Sequence, residues 1–224
     1  MKSSFILIIL LLCLPYAAIY STNKNDRNTL QIKESLDSLD KYILHTDIYK
    51  RQKEERISAL SERLKDTSLS LDEQYRYTYL LFDEYSTYQS KLMYASAKRL
   101  IELSSRMNDK NKVVDSEIQL AYSYLWCGAF KEAYEYANTI DTVGTTNHTK
   151  VYYLMFRLNL EYESGLYVKP LQFFLKNYEN SMCRIIDQLE NLLPADDDHL
   201  LEARQKACSH NNQFEQAYEY LKKR

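Results

Sequence analysis

The sequence predicts an all-α protein made of antiparallel helix pairs that recur along the chain. Three observations carry the prediction. Three glycines and three prolines in 224 residues are too few for a strand-rich fold, which uses both at its turns. Apolar residues recur at steps of three and four, which lines one face of a helix. The segment FKEAYEY at residues 130–136 returns as FEQAYEY at residues 214–220, so that Phe130 and Phe214, like Ala133 and Ala217, lie 84 residues apart.

The elements follow in order. Residues 1–21 read as an export signal: Lys2, the apolar run FILIILLLCL at residues 5–14, then Pro15 and the small residues Ala17, Ala18 and Ser21. The run is short for a comfortable membrane span. Cleavage near Ser21, acylation of Cys13 and retention as an amino-terminal anchor all remain open. Leu12 stands where lipoprotein processing normally takes a small residue. The chain is therefore expected outside the cytoplasm, in the periplasm or cell envelope, and held at the inner membrane if the anchor is kept. A helical domain is expected over residues 28–224.

Ile32, Leu36, Leu39 and Ile43 line the first helix, and Thr46-Asp47 is placed to cap a second through Ile57, Leu60 and Leu64. Ser70-Leu71-Asp72-Glu73 has the form of a capping box, in which serine and glutamate satisfy each other's free backbone N–H groups. The helix it opens passes Leu80, Leu81 and Tyr85. The next passes Met93, Ala97, Leu100 and Leu103 until Asn108-Asp109 interrupts it. Val114, Ile118, Ala121 and Leu125 mark another, which ends at Gly128, and a short partner runs through Ala133 and Ala137 to Ile140. Further helices are expected near residues 149–163, 169–193, 197–209 and 213–222.

The small residues explain the repetition. Two antiparallel helices approach closely only where their side chains are small, and rings fill the space between turns. Ala121 and Tyr124 on one helix, Gly128 in the turn, and Phe130, Ala133 and Ala137 on the next resemble the tetratricopeptide repeat. Phe214 and Ala217 repeat the second helix, and Ala97 gives a weaker third match. The offset corresponds to about two units of roughly 42 residues, longer than the usual 34, so an irregular solenoid is expected.

More of the chain then resembles a known group. The segments LDSLDKYILHTDIYKRQKEERISALSERL, LLFDEYSTYQSKLMYASAKRLIELSSRMND and LAYSYLWCGAFKEAYEYANTID, in that order after a signal, are similar to the amino-terminal region of an uncharacterised family of exported helical-repeat proteins from Bacteroides-type bacteria. The resemblance implies that longer members continue into a membrane span and a cytoplasmic regulatory region. Arg224 falls inside the second helix of a pair, so the array is expected to be cut short there.

Composition narrows the function. A formal charge of −2 removes the main argument for nucleic-acid binding, which needs a basic face. Cys127, Cys183 and Cys208 form no CxxC pair and sit among apolar positions, as small buried hydrophobes do. Asp196, Asp197, Asp198 and His199 form the densest set of potential metal ligands, but they follow Pro194 and precede an apolar helix, where aspartates cap free N–H groups. His45, His148, His199 and His210 are scattered without a catalytic spacing, and no phosphate loop or nucleophile motif occurs. No catalytic residue, metal site or cofactor is expected. Twenty-one tyrosines suit recognition of a protein or peptide, because the ring adds contact area with few torsions to freeze. Tyr85, Tyr88, Tyr122 and Tyr134 are expected to line a groove. The reading is a non-enzymatic binding scaffold. The alternatives are the sensor region of a membrane-bound transcriptional regulator and a glycan- or metabolite-binding enzyme domain.

Overall fold

A computed structural model describes Thr29 and residues 32–170 and 172–224, so the export signal and Cys13 lie outside the described residues. All regular structure among the described residues is helical: α1 (residues 32–44), α2 (Thr46–Arg63), α3 (Leu71–Ser86), α4 (Ser90–Met107), α5 (Lys110–Trp126), α6 (Phe130–Ala137), α7 (Asn147–Val168), α8 (Gln172–Glu190), α9 (Asp198–His210) and α10 (Phe214–Lys223). The chain divides into two compact units, Met1–Arg56 and Ile57–Arg224.

In the first unit Ile32, Leu36, Leu39 and Ile43 lie on the expected helix, α1, and all four are more than half exposed. Periodicity aligns side chains on one side of a helix but does not supply a neighbour to cover them. Thr46 does not cap α2. It is already helical, and its hydroxyl donates to the Ile43 carbonyl (2.6 Å) while His45 alone makes the turn.

The second unit is an array of pairs. α3 packs on α4, α5 on α6, α7 on α8 and α9 on α10. Each second helix also meets the first helix of the next pair, α4 on α5, α6 on α7 and α8 on α9. First helices touch as well, α5 with α7 and α7 with α9. Short links between packed neighbours make the pairs antiparallel. Ile57, Leu60 and Leu64 pack on a core centred on Phe82, Leu100, Ile118 and Phe156. A second core gathers Leu158, Met182, Leu189 and Leu200, and α7 contributes to both.

Local chemistry sets the helix ends. The Ser70–Glu73 capping box is formed in both directions: Glu73 N–H donates to Ser70 Oγ (3.3 Å), and Ser70 N–H to Glu73 Oε2 (2.9 Å). Asn108 ends α4 in the left-handed region, at φ 53°, and the Asp109 carboxylate then accepts from the N–H groups of Asn111 and Lys112. Asp197 caps α9 by accepting from His199 N–H (2.9 Å), so that carboxylate terminates a helix.

Ala97, Ala121, Ala133 and Ala137 are wholly buried, and Ala217 is buried too. Gly128 differs in kind. A Cβ there meets nothing within 4 Å, and its φ of +73° is what the turn requires. The glycine that does sit in a tight approach is Gly165, where α7 runs on past the expected end near Glu163. Phe130 reaches the core and Tyr124 packs with it, whereas Phe214 is 64% exposed because no further helix lies over α10 among the described residues. Of the three cysteines among the described residues, only Cys208 is buried. Cys127 sits at the end of α5 beyond the packed stripe, and Cys183 lies off the line of Met182, Ile185 and Leu189.

Candidate functional site: the groove of the first helices

The first helices of the four pairs share one face, and that face carries a cleft of about 370 Å³. α3 contributes Tyr79 and Phe82, α5 contributes Gln119, Tyr122 and Trp126, α7 contributes Tyr152 and Asn159, and α9 contributes Lys206. Tyr122 and Trp126 are four residues apart, so they rise one above the other on the same side of α5. Their rings stack at 4.9 Å and 29°, and Phe82 adds a third ring 6.2 Å from Trp126. Phe156 meets Tyr122 edge-on from below, at 4.8 Å. Trp126, the chain's single tryptophan, stays 51% exposed at the top of this stack.

Hydrogen bonds fix the floor. Asn159 Nδ2 donates to the Tyr122 hydroxyl (2.9 Å), Lys206 Nζ donates to Asn159 Oδ1, and Gln119 Nε2 donates to the Tyr152 hydroxyl. Burial pushes Tyr122 up to about 12 and Tyr152 well above its ordinary value, so both remain neutral phenols across the physiological range. Burial also raises Tyr79, and the charge of Asp83 adds to it. The floor is thus made of rings and amides held in place by one another's hydrogen bonds. Through Tyr79 the cleft adjoins a second one of similar size around Tyr75, Leu80 and Lys112. Among the described residues, no group of three or more His, Cys, Asp or Glu is placed to hold a metal ion.

The family described as SusR N-terminal TPR domain matches residues 43–224. The chain belongs to this family. It is a TPR domain of a SusR-type regulator, and the match opens at Ile43, near the end of α1. No curated protein and no solved structure matches the chain. Within the SusR-type array, the groove-lining helices are the first of each pair.

The structure separates the four tyrosines that the sequence grouped. Tyr122 lines the groove. Tyr85 is buried and lines a different cleft between α3 and α4, with Thr78, Leu81 and Leu92. Six residues along a helix turn the side chain by roughly 240°, so Tyr85 and Tyr79 cannot share a face. Tyr134 lies on a second helix, and its hydroxyl donates to Glu161 Oε2 across the contact of α6 with α7 (3.0 Å). Tyr88 is half-buried in the turn after α3. Sequence reasoning missed Trp126, although its place four residues after Tyr122 was a usable signal. It also missed Asn159 and Lys206, whose single polar positions on α7 and α9 carry no pattern of their own.

Proposed function

We propose that this TPR domain is the non-enzymatic, ligand-receiving region of its SusR-type regulator and that it holds an extended protein or peptide segment along the groove of its first helices. The observation that carries this reading is the half-open Trp126, stacked on Tyr122 above an immobilised amide and phenol floor. Aromatic side chains of this kind supply much of the binding energy at protein interfaces, and a rigid floor lowers the entropy lost on binding. An open groove across four helices suits a long ligand better than an enclosed small one. The basic start and apolar run of residues 1–14 support placing this region outside the cytoplasm, where a regulator receives an external signal.

The test is calorimetric titration of the chain with a pool of randomised octapeptides. Saturable binding that falls at least about tenfold in Trp126→Ala, with the helical signal intact, supports the reading. Binding of neutral oligosaccharides instead of peptides would replace it with a glycan-receiving groove.

A further inference from the structure

The charges around Trp126 are unequal in a way the binding reading does not use. Three ionisable side chains besides tyrosine line the cleft: Asp83 on α3, Glu163 on α7 and Lys206 on α9. The lysine is fully committed. Its ammonium pairs with Glu202 (2.8 Å), donates to Asn159 and lies over the Tyr162 ring, and Glu202 is held in turn by Arg224 (3.0 Å). Asp83 and Glu163 are both exposed, and neither carboxylate has an ion pair or a side-chain hydrogen bond among the described residues. The adjoining cleft is different, because Asp72 there is paired with Lys112 and Glu73 turns its carboxylate onto Ser70. Uncompensated negative charge is therefore concentrated beside the exposed indole.

That combination has a chemical complement. The face of an aromatic ring is negative, tryptophan most strongly, and attracts a cation placed over it. Carboxylates at the rim add Coulomb attraction, and a long aliphatic stem covers the apolar ring while its charged head reaches the rim. Resting on the binding reading above, we infer that the cleft at Trp126 receives a lysine or arginine side chain of the bound segment, with Asp83 and Glu163 facing its charge. A neutral or acidic side chain leaves both carboxylates without a partner.

The experiment uses octapeptide pools with one position fixed as Lys, Arg, Gln or Glu and the rest randomised. Each pool is titrated into the full chain and followed by the emission of the single tryptophan. The Lys and Arg pools are expected to bind about tenfold more tightly than the Gln pool at low salt, and the Glu pool more weakly than the Gln pool. In the doubly substituted Asp83→Asn/Glu163→Gln chain the preference for the Lys and Arg pools over the Gln pool is expected to shrink below about twofold. Both positions are exposed, so circular dichroism should be unaltered. Equal binding of all four pools overturns the basic-residue assignment and leaves the peptide reading standing. A preference that persists in the double variant also overturns it. Absence of binding by every pool removes both.

Discussion

One pair of residues fixes how α7 meets α9. His210 is 1% exposed, and a Cβ at Gly165 would lie 2.3 Å from its Nε2. Neither imidazole nitrogen has a hydrogen-bond partner, nor does the neighbouring Ser164 hydroxyl. Gly165→Ala should therefore cost about 1–3 kcal/mol in a urea melt, since the buried ring has nowhere to retreat. Combining it with His210→Ala should recover part of that loss. Desolvation holds His210 below its usual 6.5; the Asn211 contact and Glu179 oppose that shift, and Lys169 reinforces it. The unfolded chain gains a proton as pH falls through 6.5, but the folded chain does not until lower pH. The stability linked to His210 is thus complete above 6.5 and declines below it. Denaturant midpoints measured from pH 8 to pH 5 should fall, and His210→Leu should flatten the profile.

At the scale of the element, equal sequences have unequal weight. Phe130 packs on the core and its ring lies 5.6 Å from Tyr167, whereas Phe214, its counterpart in α10, stands open beside exposed Tyr218 and Leu221. Phe130→Ser should lower stability by about 2 kcal/mol, while Phe214→Ser should change it by less than about 0.5 kcal/mol, both read by thermal melting. Ser70→Ala removes a reciprocal cap and should cost about 1 kcal/mol by the same measurement. What the sequence made legible were features with local causes: the Ser70 box, the breaks at Asn108 and Gly128, and the Asp197 cap each need only a few neighbours to form. Tyr85 was misassigned because its rotation about α3 sends it to α4. Trp126 was overlooked because its importance comes from Phe82 on α3, 44 positions earlier in the sequence.

Across residues 57–224, helix pairs succeed one another, and the face proposed for binding is contributed by all four pairs at once. Stability and recognition are consequently separable. Ala133 and Ala137 keep neighbouring backbones close, while the half-open Trp126 contributes mainly to the groove. Trp126→Ala should weaken ligand binding while leaving the melting temperature within a few degrees of the original, whereas Ala133→Leu should depress melting strongly by overpacking. The tetratricopeptide identity follows from small residues and rings that recur in sequence, whereas the side chains that line the cleft at Trp126 recur nowhere. α7 is the longest helix of the array, at 22 residues, and meets α5, α6, α8 and α9. It is therefore the segment least free to drift. Chimaeras between relatives should stay soluble when the crossover falls in the link at residues 139–146, and should fail when it falls inside α7, where one inherited half would confront neighbours shaped for another.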